Sequence, residues 1–176
     1  MPVERLDHWL GKPQVRTHHR RRARTDAQTL WAAAREITLA DTRTLGRLVR
    51  WRIPGTPPDV RYDDLFRRYP FTVLEEGEDY MISGLVGRIW TLQRDYPRIE
   101  DAEEFRSWSQ PGSVRVLFAH WTEPHGDGAE IVSEARVSPT DRTSALRLRA
   151  LWAVVGPFHK LVGAEPLTLA VRRAES

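Results

Sequence analysis

At 176 residues, with 40% apolar and 29% charged side chains, the chain is long enough to bury one real core beneath a well-solvated surface. The absence of cysteine excludes disulfides and thiolate metal sites and fits a reducing, cytoplasmic setting. Net charge is only +3 although the pI is about 9.7, because nearly all the basic residues are arginine; no stretch is apolar enough to span a membrane, and Met1–Arg16 has no leader-like core.

Residues 1–14 read as an irregular arm, broken by Gly11 and Pro13, with Trp9 and Leu10 folded back on the body. Val15–Arg24 reads as the first strand. Thr25-Asp-Ala-Gln28 fits a capping box, and Leu30, Trp31, Ala34 and Ile37 give the helix behind it an apolar stripe. Asp41 is placed to cap a second helix carrying Leu45, Leu48, Val49 and Trp51, which Ile53–Pro58 ends. Leu65–Tyr69 is ambiguous, at most a helical turn. Phe71–Glu76 and Asp79–Trp90 are strands around a turn at 76–78; Gly84 and Gly87 allow a sharp bend or a close backbone approach, and the second strand could be two meeting at a corner. Asp101–Glu104 opens a short capped segment with Phe105 and Trp108. Ser113–Glu123 and Ala129–Ser138 are strands joined through 124–128.

From Thr140 to about Arg173, Ala145, Leu148, Trp152, Val155, His159 and Val162 recur at three- and four-residue steps. Thr140 and Asp141 suit its start, and Gly156-Pro157 predicts a kink. A kinked helix with so broad an apolar face must lie on a sheet. The expected class is therefore α+β: a curved antiparallel sheet wrapped around a long C-terminal helix, with two short helices after the first strand.

Ala27–Ala34, Gly84–Trp90, Phe105–Gly112, Ser133–Val137 ahead of Thr140-Asp141, and Trp152–Phe158 come in an order and spacing that resembles the bacterial SRPBCC, or START-like helix-grip, superfamily of polyketide cyclase/dehydrase type. The resemblance covers roughly Val15 to Arg173 and makes 15–176 a single helix-grip domain behind the arm at 1–14. It implies a seven-stranded curved sheet, two short helices at one end, a long helix across the mouth, and a cavity between for an apolar or aromatic small molecule.

Tyr80, Trp90, Phe118, Trp121, Trp152 and Phe158 are the aromatic candidates for the cavity wall, against the alternative of ordinary core packing. Gly87, with Gly84, is expected to leave space opposite Trp152. Glu134 and Arg136 share one strand face. On the concave side they would be a buried pair meeting a polar ligand head; on the convex side, a solvated pair. The apolar register Ile131, Ser133, Ala135, Val137 favours the convex side for Glu134. His120 and His159 are candidate general bases beside Glu134, against the alternative of hydrogen-bonded core or rim histidines. His18 and His19 point oppositely and His120 and His125 lack a third ligand, so no metal is expected; no Gly-x-Ser-x-Gly or phosphate loop suggests a nucleophile or cofactor.

Three readings follow. The first is a protein binding a hydrophobic or aromatic small molecule between sheet and C-terminal helix. The second is a cofactor-independent cyclase or dehydratase acting on a polyketide-like or other ring-forming substrate by general acid/base catalysis. The third is an interaction module using the basic strand Arg16–Arg24. Nucleic acid is disfavoured, because a strand splits those charges between two faces; a homodimer is left open.

Overall fold

A computed structural model describes residues 3–91, 95–156 and 159–176. Strands β1 (Val15–Ala23), β2 (Thr72–Glu76), β3 (Tyr80–Gly87), β4 (Val114–His125) and β5 (Gly128–Pro139) form one antiparallel sheet in the order β1-β5-β4-β3-β2. β4 and β5 pair along their full length from Val114↔Pro139 to His125↔Gly128. Helices α1 (Val3–Leu10), α2 (Ala27–Arg35), α3 (Thr44–Arg52), α4 (Tyr62–Leu65), α5 (Ala102–Ser107), α6 (Arg142–Val155) and α7 (His159–Ala174) complete the chain.

Alternation along the strands divides the apolar residues between two layers. On the inner face, Ala23, Ala129 and Ile131 meet Leu30 and Ala34 of α2 and Leu167 and Ala170 of α7. Further along, Val15, Val116 and Val137 meet Leu148 and Trp152 of α6. On the outer face, Ile82, Leu117, Ala119, Trp121 and Val132 pack with Leu6 and Leu10 of α1 and with Phe105. The C-terminal segment comprises two helices, α6 ending at Val155 and α7 beginning at His159, on either side of the Gly156-Pro157 step where the sequence predicts a kink in one helix. α7 then runs through Pro166 without ending. This is the α+β helix-grip arrangement, with sheet and C-terminal helices as expected.

Four details differ from the sequence expectations. The arm is a helix: α1 is amphipathic and buries Leu6 and Leu10 against the outer face. The strands among the described residues number five, against the seven that the resemblance implies. The chain leaves the sheet at Gly87, where φ is +135° and the Asp95 carbonyl passes 2.1 Å from the place a Cβ would occupy; only glycine fits there, and the glycine makes room for backbone. Gly84 likewise receives the Phe105 ring, so neither glycine leaves a void.

The caps also shift. Asp26, not Thr25, caps α2 by accepting from Thr29 N at 2.8 Å. Asp41 accepts from Thr38 N and Oγ1 in the preceding turn. The first amides of α3 turn instead to Glu165 of α7.

Candidate functional site

The hairpin register fixes the centre of the inner face. His19, Ser133, His120 and Met81 lie side by side on β1, β5, β4 and β3. Across them lie Tyr62 and Phe66, with ring centroids 5.1 and 4.6 Å from His120. Phe66 also stacks on Phe118 at 5.3 Å, and Phe71 on Phe118 at 5.6 Å. The Tyr62 hydroxyl is hydrogen-bonded with Ser133, and burial raises its pKa. A cavity of about 20 Å³, enough for one water molecule, opens here between Trp31, Tyr62, Met81, His120, Ile131 and Leu167. Asp63 at its edge is ion-paired with Arg35 at 2.9 Å and Arg67 at 3.5 Å.

His120 is buried, and neither ring nitrogen has a hydrogen-bond partner among the described residues. Ser83 Oγ and Thr122 Oγ1, on the same face, are also without one. Buried polar atoms in folded proteins are nearly always satisfied, so these three side chains set the inner face apart from the rest of the core. Burial lowers the His120 pKa to about 4, against a smaller opposing pull from Asp63, and keeps the ring neutral near pH 7. A neutral imidazole offers one donor and one acceptor. It suits a hydroxyl or a carbonyl better than an anion.

The outer face holds the opposite situation. Glu134 and Arg136 are each only 1% exposed, on the side the apolar register favours for Glu134, yet they are not solvated because α1 covers them. Arg136 donates from Nε to Glu134 at 2.6 Å, and from Nη1 to Asp7 at 2.5 Å and to the Leu10 carbonyl at 2.9 Å. Arg16 adds a bidentate pair to Glu134, both contacts at 2.9 Å, and His18 Nδ1 lies at 3.1 Å. Burial pushes the Glu134 pKa up, but the hydrogen bonds from Arg16, Arg136 and His18 outweigh it and hold the carboxyl below its ordinary value.

The candidates therefore separate. His120, Phe118, Trp90 and Trp152 lie on the inner face, the two tryptophans at the α6 end with Phe118 near Val116. Tyr80 and Trp121 pack in the outer layer, where the Tyr80 hydroxyl donates to Glu75 at 2.9 Å and Trp121 Nε1 donates to Glu123 at 3.0 Å. Glu134 and Arg136 are on that outer side too, so a ligand against His120 does not meet them. Gly87 is a backbone crossing. Phe158 and the His159 side chain lie outside the described residues.

Sequence reasoning missed Tyr62, Ser133, Trp31 and Leu167. Ser133 had a signal, since counting back from the 124–128 turn pairs it with His120. Tyr62 had none, because its place depends on how the 53–71 connection folds over the sheet. Among the described residues no group of three His, Asp or Glu side chains could hold a metal, and no helix is long and apolar enough to cross a membrane.

A sheet closed on one side by a long C-terminal helix pair, with two helices after β1, is a helix-grip arrangement. Among solved structures the chain is similar to TTHA0849 from Thermus thermophilus, with 14% identity over 91% of this chain and 97% of that one, at a TM-score of 0.36. It is also similar to the Zhui aromatase/cyclase from Streptomyces sp. R1128, with 14% identity, coverage of 92% and 93%, and a TM-score of 0.32. A third is Ara h 8.0201, with 9% identity, coverage of 85% and 95%, and a TM-score of 0.31. No family model and no curated protein matches the chain. These likenesses are low, and the fold assignment rests on strand order and on the helices across the inner face.

Proposed function

We propose that this chain binds a hydrophobic or aromatic small molecule on the inner face, with the ligand's polar end on His120 and its ring among Tyr62, Phe66 and Phe118. The supporting observation is the buried, neutral His120 with both nitrogens unpartnered at the wall of a cavity. At about 20 Å³ that cavity takes a water molecule, so a ring-sized ligand enters only as Met81 and Leu167 yield. Hydroxylated aromatics fit best, because a hydroxyl can donate to the bare imidazole nitrogen or accept from the protonated one.

The test is a thermal-shift screen of hydroxylated and non-hydroxylated aromatics on the wild type, Ala34→Leu and His120→Phe. The expected result is stabilisation by hydroxylated rings that both substitutions abolish. Stabilisation that survives both places the ligand elsewhere. For the cyclase or dehydratase reading, Glu134 lies on the outer face and the described residues leave His120, whose pKa near 4 makes the imidazole a weak base at neutral pH; binding is the reading the geometry favours.

A further inference from the structure

The connection from Asp41 to Asp59 presents an exposed tryptophan beside several arginines. Between those two acids the chain carries four arginines and no carboxylate. Its helix, α3, turns Leu45 inward and leaves Arg47, Leu48 and Trp51 on one outward stripe, at steps of one and three residues. Trp51 is 65% exposed and Leu48 42% exposed. Among the described residues no carboxylate pairs with the guanidinium of Arg43, Arg47 or Arg50; Arg50 Nε donates to the Gly46 carbonyl at 3.2 Å. Behind the helix, Ile53-Pro-Gly-Thr-Pro-Pro58 adds an apolar loop beside a groove of about 190 Å³.

We propose that α3 and the loop behind it form a docking surface for an anionic lipid bilayer, with Trp51 and Leu48 seated at the headgroup boundary and the arginines on lipid phosphates. Exposed tryptophan beside unpaired arginine is the chemistry of an interfacial helix: the indole prefers the boundary between apolar and wet layers, and each basic side chain near an anionic surface adds attraction. A second copy of the chain fits poorly, because the contact would press two cationic stripes together. A nucleic acid would satisfy the arginines and leave Leu48 without a role. The stripe lies on solvent and stands apart from the His120 cavity, so the proposal holds whether or not that cavity binds a ligand.

The experiment is co-sedimentation of the full chain with vesicles of phosphatidylcholine, with and without phosphatidylglycerol. Wild type is expected to sediment only with the phosphatidylglycerol vesicles, less so as salt is added. Arg47→Gln and Arg50→Gln should each weaken binding about fivefold. Trp51→Ser combined with Leu48→Ser should weaken it about tenfold while leaving retention on heparin, a soluble polyanion, unchanged. All these positions are exposed, so the variants fold, which a melting curve checks. The proposal is overturned if wild type ignores phosphatidylglycerol, or if the Trp51/Leu48 variant binds vesicles as well as wild type does; the latter would make the stripe a plain polyanion patch.

Discussion

The two faces of the sheet solve the burial of polar groups in opposite ways. On the outer face, Glu134 and Arg136 are buried but fully engaged, with α1 supplying Asp7 and the Leu10 carbonyl. On the inner face, His120 is buried among rings and is left without a hydrogen bond among the described residues. The same pair of strands carries both sets on alternate residues. A completed network resists change, because removing any member strands a charge. An incomplete one holds open a place for a further partner. The outer face is thus the half whose buried polar groups are paired, and the inner face is the half on which the proposed ligand site depends.

The harshest way to break that contrast is to remove the guanidinium at the centre of the outer network. Arg136→Met leaves Glu134 buried with Arg16 and His18 alone and frees α1 at Asp7, a loss of about 3–5 kcal/mol. Urea unfolding reads it. Adding Glu134→Leu removes the stranded carboxylate and should restore most of the loss. A single variant as stable as wild type would show that α1 is held by its other contacts, Leu6 and Leu10 in the apolar layer and Arg5 and Trp9 on Glu75. Ligand binding on the inner face, measured on whatever remains folded, should be unaltered.

His120 sharpens the comparison from the other side. Its folded pKa lies near 4, below the ordinary histidine value of about 6.5, so the unfolded chain takes up the proton first. Its contribution is therefore fully present above about pH 6.5 and is lost as pH falls towards 4, some 2 kcal/mol between pH 7 and 5. In His120→Phe that part of the acid sensitivity should disappear. At pH 7 the variant should be at least as stable as wild type, since two orphaned nitrogens are replaced by carbon. An acid profile identical to wild type would mean that the ring is already hydrogen-bonded or charged.

The helix-grip plan was legible because its signals are local and periodic. The β4–β5 hairpin, the Asp141 start and the Gly156-Pro157 step follow one another in a single stretch, 114–157. The division of the candidates was only half legible. Alternation placed Glu134 opposite the apolar register, but nothing in 1–14 showed that α1 would cover it, because an eight-residue amphipathic turn pair between Pro2 and Gly11 gains its stability from the sheet beneath. Tyr80 and Trp121 were read as cavity walls for being aromatic, and size alone does not say which face a ring takes. Gly87 was read as space, whereas its positive φ and the passing Asp95 carbonyl make it a crossing point. The partners of His120 come from α2, α4 and α7, three elements whose meeting is set by long-range packing.

The covers of the two faces differ as much as the faces do, and Glu165 is where the inner one can be loosened. α3 has no cap of its own, since Arg43 precedes it without a side-chain hydrogen bond. The Glu165 carboxylate on α7 accepts instead from Arg43 N at 2.6 Å and from Thr44 N and Leu45 N at 3.0 Å. A cap of this kind contributes about 1 kcal/mol, and the anion adds a favourable term at the helix N-terminus. Glu165→Ala should cost about that much in a melt, Glu165→Gln less because one acceptor oxygen remains. Amide exchange at Thr44 and Leu45 should quicken, and the ligand's association rate at His120 should rise as α7 parts more easily from the sheet. In wild type, exchange at Leu167 and Ala170 of α7 should run ahead of exchange at Leu10 of α1, because the tie between α7 and α3 is a part-exposed carboxylate and the tie between α1 and the sheet is a buried ion network. The reverse order would make the outer cover the movable one and invert the assignment of the two faces.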